Sequence, residues 1–327
     1  LMGEALSESV EVVYIIPPLK KENADMYFLN HNKPFQIFSN RLLRTYKPDL
    51  LILLNDWSKQ PQWIISLCRL KRIPVVCMQE SVIDFGDTHR RMLHADEVML
   101  QATQSVLDLN RKTVYLTGNP RYESLLNLPS SSKKYVLVNC NFTYGIFEDI
   151  RMKWMGEVIG AINKKGFDYL ISQHPRDKAD LSSYRQVISS SSSSVAEQLR
   201  GARCLITRFS SLIHEALVAG VPVIYYNPHG EQMKYQFRFN QSFLFIATNT
   251  EELSKALDAI SIFDADESMQ HYLINHCIQP SSPPSKNLLE LIRLSLFKSQ
   301  PFMFSDFWKC ILYHPFVLRF VWYFKKS

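Results

Sequence analysis

Short runs of β-branched and aliphatic residues recur along the first part of the chain, and each is typical of a buried strand. They fall at residues 10–16, 50–54, 74–78, 97–100 and 113–116. Two segments between them, 35–46 and 62–69, repeat their apolar residues at helical spacing instead. Because strand and helix alternate, this part of the chain is predicted to form a parallel sheet with helices on both faces.

A second alternating series follows the polar stretch LPSSSKK at residues 128–134, which is the best candidate for a linker. Its predicted strands cover 135–138, 169–172, 204–207 and 223–226, and its predicted helices cover 152–164, 195–200 and 211–219. The sequence thus predicts an α/β protein with two Rossmann-like domains. We expect one domain over 1–130, a second domain over 131–290 and a C-terminal segment over 291–327.

Length and composition agree with two modest globular domains. The chain has 327 residues, a mass of 38.1 kDa, 46% hydrophobic residues and 21% charged residues. Its net charge of +6 suits a nucleotide or an acidic membrane, although such a small surplus is also common on proteins that bind neither. Six cysteines without a CxxC pair are typical of buried reduced thiols. Because the N-terminus also lacks a secretory pattern, we expect a cytoplasmic protein.

Open parallel sheets bind ligands at the carboxyl ends of their strands, so residues that directly follow a predicted strand are the candidates for function. The sequence DYLISQHPRD places His174, Pro175 and Arg176 in such a position. An imidazole there can protonate or stabilise a leaving phosphate, and an arginine can hold the same group with two hydrogen bonds. The same residues also fit a simple turn at the end of a strand.

The segment TRFSSLIHEAL gives the strongest signal for a ligand site. Arg208, Ser210 and Ser211 lie between a predicted strand and a predicted helix, where hydroxyls and backbone amides can bind phosphate or merely cap the helix. Glu215 lies one helical turn further on, within reach of the ribose of a nucleotide whose phosphate sits at the helix start. The neighbouring His214 points to another face, and we expect it to have no catalytic role.

Further polar residues follow other predicted strands. Glu80 follows the strand that ends at residue 78 and is the candidate base for an acceptor hydroxyl, with Asp84 and Asp87 as rivals. Two turn-like loops offer additional nucleotide contacts, since glycine permits close approach of the backbone and asparagine can bond sugar or phosphate oxygens. These contacts are Gly118, Asn119, Arg121 and Asn141.

Several common motifs are missing from the sequence. It contains no Walker loop, no GxGxxG and no histidine–cysteine cluster with metal-binding spacing. These absences argue against a kinase, a common dehydrogenase and a zinc hydrolase. We therefore expect a transferase without a bound metal or cofactor.

The succession of GNPR, VNCNF, QHPRD and TRFSSLIHEALVAGVPVIYY resembles bacterial GT-B glycosyltransferases of surface polysaccharide assembly, over about residues 74–227. A His-Pro pair followed by paired serines is similar to the enzymes of that group that use CMP-activated acidic sugars, namely bacterial sialyltransferases and Kdo transferases. The resemblance implies two Rossmann-like domains facing across a cleft, a CMP-sugar donor and no metal. It also implies that the domain over 1–130 binds the acceptor and that the domain over 131–290 binds the nucleotide-sugar. It also implies that His174, Ser210 and Ser211 contact the CMP phosphate and that Glu80 takes the role of the acidic motif.

Three other functions remain open at this point. Similar serine–helix segments occur in CDP-glycerol or CDP-ribitol phosphotransferases of the teichoic-acid type and in UDP-N-acetylglucosamine 2-epimerase. A nucleotide-sugar-binding subunit without catalytic activity also fits. For the main hypothesis the expected partners are a nucleotide-sugar donor and a glycan or lipid-linked acceptor, and no nucleic acid.

The last residues, 302–327, are dense in aromatic side chains and end in Lys325 and Lys326. A spanning helix needs ~20 apolar residues with few charges, and this stretch contains Asp306, Lys309 and Arg319. It therefore predicts interfacial helices that hold the enzyme at the inner face of the cytoplasmic membrane. The alternative is that these aromatic residues pack back on the first domain.

Overall fold

The computed structural model describes residues 11–16, 35–79, 92–103, 109, 114–126, 128, 133–142, 147–174, 177–189, 193–231, 242–261, 267–277, 283–294 and 297–315. The chain divides into two compact units. The first consists of Leu1–Arg121 and Gln279–Ser327, and the second consists of Tyr122–Ile278. Each unit is an α/β structure built on parallel strands, as the alternating pattern predicts.

The first unit alternates short strands with helices. Its strands are β1 (Tyr14–Ile16), β2 (Phe35–Ile37), β3 (Leu51–Leu53), β4 (Val75–Met78), β5 (Glu97–Leu100) and β6 (Val114–Leu116). Its helices are Asn40–Tyr46, Lys59–Leu70, Pro284–Arg293 and Phe304–Leu312. Strands β3 to β6 pair in sequence order, all parallel, and β1 pairs with β2 in a separate small sheet. Val75, Val76 and Cys77 are fully buried because β4 lies inside the four-stranded sheet.

The predicted helix at 35–46 begins later than its sequence pattern indicates. Residues Phe35–Ile37 form β2 and pair with β1. The helix starts at Asn40, where the Ser39 hydroxyl oxygen accepts a hydrogen bond from the Leu42 N–H at 3.1 Å. The helix prediction was wrong over 35–39, because a run as short as FQIF fits both periodicities and pairing with β1 decides between them.

The second unit carries a larger sheet. Its strands are β7 (Tyr135–Cys140), β8 (Asp168–Gln173), β9 (Val187–Ser189), β10 (Ala202–Thr207), β11 (Val223–Tyr226) and β12 (Leu244–Ala247). Its helices are Glu123–Leu126, Arg151–Lys164, Val195–Arg200, Leu212–Val218, Thr250–Ser261 and Glu267–His276. Short 3₁₀ turns occupy Pro120–Tyr122, where the two units join, and Glu148–Ile150.

The strand order of this sheet is β12-β11-β10-β7-β8-β9, with every pair parallel. The chain starts in the middle at β7, moves outward through β8 and β9, and then returns to the other side of β7 with β10. This is the doubly wound order, in which the direction of winding reverses between two central strands. Val136, Val138 and Ile206 on those strands are fully buried, as expected for strands covered by helices on both faces.

The C-terminal segment packs on the first unit through one face of a helix. Asp306 of the helix Phe304–Leu312 is fully buried and accepts hydrogen bonds from Ser66 and Arg69 of the helix Lys59–Leu70. The opposite face is exposed, with Phe304 76% accessible. Packing on the first unit therefore accounts for part of the aromatic segment, and residues 316–327 lie outside the described residues.

Candidate functional site

The reversal of winding lies between β7 and β10, and the residues that follow these two strands meet there. Strand register sets Asn139 opposite Thr207, and the Asn139 amide donates to the Thr207 hydroxyl at 2.9 Å. Such a switch point is where doubly wound sheets bind ligands, because the loops leave the two strands in opposite directions and open a crevice. Of the predicted site residues, Asn141, Arg208, Ser210 and Ser211 lie next to it.

Arg208 joins the two loops at this edge. Its guanidinium donates to the Asn141 carbonyl oxygen at 2.8 Å, and the Asn141 amide donates to the Phe209 carbonyl oxygen at 2.9 Å. The guanidinium also lies over the rings of Phe142 and Phe147, at 4.5 and 5.0 Å from their centroids. These contacts fix Arg208 in a buried position, with 3% of its surface accessible.

Arg208, Tyr225, His229 and Glu231 form a group that we call the Arg208 cluster. Glu231 is the carboxylate partner of Arg208, at an N···O distance of 2.6 Å. It also accepts hydrogen bonds from the Phe209 N–H at 3.3 Å and from the Tyr225 hydroxyl at 3.2 Å. Burial and the Glu231 charge raise the pKa of Tyr225, so its hydroxyl stays protonated and donates. A buried arginine and a largely buried carboxylate thus neutralise each other at the edge of the sheet.

His229 completes the cluster. Its ring lies 4.6 Å from the ring of Phe147, and its Nε2 lies 3.8 Å from a Glu231 carboxylate oxygen, too far for a hydrogen bond. About 10% of the side chain is accessible, and neither ring nitrogen has a hydrogen-bond partner among the described residues. Burial lowers the pKa of His229, and the neighbouring carboxylate opposes this shift only in part. The imidazole is therefore neutral at pH 7, and its ring nitrogens can take one donor and one acceptor role.

The two serines differ in what their hydroxyls do. The Ser210 oxygen accepts a hydrogen bond from the Leu212 N–H at 3.2 Å, so it already satisfies one amide at the helix start. Ser211 occupies the N-cap position, and its side chain makes no capping hydrogen bond in the described part of the chain. Both residues are partly exposed. Ser211 therefore has the hydroxyl that is more available to a ligand.

Glu215 and His214 lie further along the same helix. Glu215 is buried, with 3% of its surface accessible, and its predicted role as a ribose ligand stays a prediction. His214 is fully buried, and a ring nitrogen lies 3.1 Å from the Tyr272 hydroxyl oxygen. Burial, assisted by His276, lowers the pKa of His214 to about 3, which keeps the imidazole neutral. His214 therefore packs in the core.

His174 follows β8 directly, and its loop is attached to the loop after β7 through Asp177 and Arg151. Its carbonyl oxygen accepts a hydrogen bond from the Asp177 N–H at 2.8 Å. The Asp177 carboxylate accepts from Arg151 at 2.6 Å, and Arg151 also donates to the Phe142 carbonyl oxygen beyond β7. The loops after β7 and β8 are therefore held together by one buried arginine. Pro175 and Arg176 lie outside the described residues.

The remaining predicted residues belong to the first unit. Gly118 has a φ of 75°, which favours glycine, and Asn119 is buried and accepts a hydrogen bond from the Arg121 N–H at 3.0 Å. Gln79 follows β4, and its side-chain oxygen accepts from the Gln101 N–H at 2.9 Å. Glu80, the candidate base, and its rivals Asp84 and Asp87 lie outside the described residues.

Sequence reasoning overlooked His229 and Glu231. Both lie in NPHGE, directly after β11, so the rule that selected the other strand-end residues applied to them as well. Asn227 in the same loop forms two hydrogen bonds with the backbone of Glu231, one through each end of its amide, at 2.9 and 2.7 Å. The position of the loop after a predicted strand was therefore a sufficient signal to select His229 and Glu231. The pairing of Glu231 with Arg208 could not be read from the sequence.

Two features are absent from the described residues. In this part of the chain no group of three or more histidine, cysteine or acidic side chains is arranged to hold a metal ion. The helices described here are also all too short or too polar to cross a membrane.

Comparisons with known proteins identify the fold. No family model and no curated protein matches the sequence. Among solved structures, the UDP-GlcNAc 2-epimerase of Methanocaldococcus jannaschii, in complex with UDP-GlcNAc and UDP, is similar with a TM-score of 0.61 at 16% identity, over 90% of this chain and 94% of that chain. The wall teichoic acid polymerase TagF, soaked with CDPG, has a TM-score of 0.59 at 15% identity, over 90% and 84% of the chains.

A third similar structure is the glycotransferase of kitacinnamycin, with a TM-score of 0.54 at 11% identity, over 90% of this chain and 94% of that chain. At such identities the likeness concerns the backbone and not the chemistry. All three cover nine-tenths of the chain, and both units have the parallel α/β architecture that GT-B enzymes share. The chain therefore has a GT-B-like fold.

Proposed function

We propose that this protein is a GT-B transferase that moves an acidic sugar, of the Kdo or sialic-acid type, from a CMP donor to a surface polysaccharide or a lipid-linked acceptor. The observation that carries the proposal is the switch point between β7 and β10, because Asn141, Arg208 and Ser211 follow these two strands and this fold type binds ligands at such a point. The likeness to structures described with UDP-GlcNAc, UDP and CDPG supports a nucleotide-activated donor.

The charge balance at this edge favours a donor with a single phosphate. Arg208 is neutralised by Glu231, and Arg151 is neutralised by Asp177. His229 is neutral at pH 7 and can donate a hydrogen bond without adding charge. A monophosphate brings one less negative charge than a pyrophosphate, and the further cation that we propose for it is Arg176 in the loop after β8. We therefore propose a monophosphate-linked donor, bound through Ser210, Ser211 and His229 and without a metal ion.

The proposed chemical roles follow the positions of the residues. His174, after β8, would donate a proton or a hydrogen bond to the departing phosphate. Glu80 would take the proton of the acceptor hydroxyl, and Glu215 would bind the ribose hydroxyls. Pro175 and Arg176 would complete the phosphate contacts, with Gly118, Asn119 and Arg121 as further nucleotide contacts from the first unit. With a lipid-linked acceptor, the enzyme would work at the cytoplasmic face of the membrane.

Two other reactions have specific support. The likeness to TagF soaked with CDPG favours a phosphotransferase with a CDP donor. The likeness to the epimerase in complex with UDP-GlcNAc and UDP favours an enzyme that acts on a UDP-sugar. The three reactions differ in the nucleotide that the second unit has to bind, so nucleotide preference separates them.

Thermal unfolding with CMP, CDP and UDP tests the proposal. We expect CMP to raise the midpoint of thermal unfolding more than CDP or UDP does, with and without a metal chelator. A ligand at 100 times its dissociation constant stabilises the folded state by about 2.7 kcal/mol, so at equal concentration the ligand that binds most tightly gives the largest shift. Ser211→Ala should reduce the CMP shift and leave the stability of the ligand-free protein nearly unchanged. The matched control is Ser194→Ala, which removes a capping serine of another helix. It should lower stability by about 1 kcal/mol and leave the CMP shift intact.

Three other outcomes would contradict parts of this proposal. A larger shift with CDP or UDP than with CMP would favour the phosphotransferase or the epimerase. A shift that disappears with the chelator would contradict metal independence. If the CMP shift is the same in Ser211→Ala and in the unsubstituted protein, Ser211 is a structural residue only.

A further inference from the structure

The helix Phe304–Leu312, which we call the aromatic helix, has two unlike faces. On the inner face, Asp306 is fully buried, and Cys310 packs against the core beside the helix Lys59–Leu70. The Asp306 carboxylate accepts from the Ser66 hydroxyl at 3.0 Å and from the Met303 N–H at 2.9 Å, and it pairs with Arg69 at 3.3 Å. Arg69 is itself paired with Asp96 at 2.7 Å. The helix is therefore held firmly in one orientation on the first unit.

The outer face presents large apolar side chains to solvent. The accessible fractions are 76% for Phe304, 46% for Phe307, 46% for Trp308, 43% for Ile311 and 51% for Leu312. The three aromatic rings contact one another, with centroids 5.7 to 6.5 Å apart. Scattered single apolar residues are common on protein surfaces, but a contiguous aromatic face on a fixed helix marks an interaction surface.

The segment 297–327, which contains this face, has an excess of basic residues in its sequence. Lys309 lines, together with Phe304 and Trp308, an open cavity of about 410 Å³ on the helix surface. Asp306 is the acidic residue of this segment, and its buried carboxylate pairs with Arg69 at 3.3 Å and lies 4.0 Å from the Lys309 ammonium. The basic residues of the same segment are Lys298, Lys309, Arg319, Lys325 and Lys326. Aromatic side chains with flanking lysine and arginine suit the boundary between acyl chains and anionic headgroups.

A second copy of the chain is the other obvious occupant, and the size of the face argues against it. At 1.5 Å per residue, the nine residues of the aromatic helix extend for only ~14 Å. Two such faces against each other cover far less than the roughly 1,200 Å² of a stable interface. The twelve residues that follow Pro315 continue the same composition, with Phe316, Phe320, Trp322, Tyr323 and Phe324. Their composition is both aromatic and basic, which suits a lipid surface.

We propose that the aromatic helix is a docking surface for an anionic lipid bilayer, with Phe304, Phe307 and Trp308 inserted at the headgroup boundary and Lys309 beside the headgroups. The inner face, anchored through Asp306, transmits this contact to the first unit as a rigid attachment. The surface belongs to the first unit and the switch point belongs to the second, so the test below does not depend on the proposed reaction.

Vesicle flotation of the full-length protein, without donor or acceptor, tests the proposal. We expect binding to vesicles of phosphatidylcholine with phosphatidylserine and weaker binding to phosphatidylcholine alone. The variant Phe304→Ser/Trp308→Ser should lose about tenfold or more of its affinity for the anionic vesicles, because both exposed rings leave the interface. Binding of the unsubstituted protein should also weaken at 0.5 M salt.

A control variant removes equally exposed apolar residues elsewhere. Met152 and Leu294 are 62% and 61% accessible, and Met152→Ser/Leu294→Ser should bind vesicles as the unsubstituted protein does. Circular dichroism checks that both double variants are folded. The proposal fails if the two double variants bind anionic vesicles equally or if the unsubstituted protein binds neither type of vesicle. It also fails if binding is equally strong with and without phosphatidylserine. It also fails if light scattering shows a dimer that Phe304→Ser/Trp308→Ser dissociates, since a second copy then occupies the face.

Discussion

Two ion pairs of the second unit have the same N···O distance of 2.6 Å in very different surroundings. Arg208–Glu231 has side-chain accessibilities of 3% and 10%, whereas Lys165–Asp258 has 24% and 63%. Distance alone therefore says little about what each pair contributes. An exposed charge that loses its ion-pair partner is solvated by water instead, so the loss costs little free energy. A buried charge that loses its partner is left without solvation, so the loss costs much more.

This contrast gives a prediction for stability at the level of single residues. Arg208→Ala should lower the free energy of unfolding by about 3–5 kcal/mol, because it leaves Glu231 buried without its cation. Lys165→Ala should cost less than about 1 kcal/mol. Urea unfolding of the two variants measures both values. Similar losses in the two variants would mean that the Arg208 cluster is hydrated and that Arg208 is not a structural part of the site.

At the scale of elements, the aromatic helix depends on one buried side chain. Asp306 caps the helix start, accepts from Ser66 and pairs with Arg69, so its loss removes three attachments together. Cys310 lies on the same face, partly buried, and burial raises the pKa of its thiol. A helix that detaches would expose this thiol and restore its ordinary reactivity.

We therefore expect Asp306→Ala to raise the rate of Cys310 modification by a thiol reagent by about tenfold or more, while the other cysteines stay protected in the core. The labelled site is identified by peptide mapping. Asp258→Ala, which removes an exposed carboxylate, should leave the rate unchanged and serves as the control. An unchanged rate in Asp306→Ala would show that apolar packing alone holds the helix.

At the scale of the whole molecule, each unit has hydrophobic clusters of its own. One large cluster lies in the second unit beneath the helix Arg151–Lys164, and separate clusters lie in the first unit. Units with separate hydrophobic cores can unfold separately, each with its own free energy of unfolding. A ligand slows hydrogen exchange in the unit that binds it.

Hydrogen exchange read by mass spectrometry can follow each unit separately. With CMP bound, we expect slower exchange in peptides that cover residues 133–142 and 202–218, which flank the switch point. Peptides that cover residues 283–315 should exchange at an unchanged rate. Protection confined to the first unit would contradict nucleotide binding at the β7–β10 edge.

Much of the architecture follows from the sequence itself. The apolar runs at 135–138, 204–207 and 223–226 fix β7, β10 and β11 closely, because strands buried on both faces need continuous apolar residues. Residues next to such runs then have to lie at strand ends, which is why Asn141, Arg208 and Ser211 were predicted as neighbours of a site. Where the run was short, as at Phe35–Ile37, local periodicity was insufficient and the partner strand decided.

The order of the strands was decided by tertiary structure alone. It sets β10 beside β7, so that Arg208 reaches Asn141 across 67 positions of sequence. The same long-range packing brings Glu231 to Arg208 and leaves His229 beside them, and it turns one face of the aromatic helix inward through Asp306. Hydrophobic periodicity is a local property of the chain and fixes which elements form. The partners of a buried charge depend on which elements pack side by side, and that is settled only when the whole core is assembled.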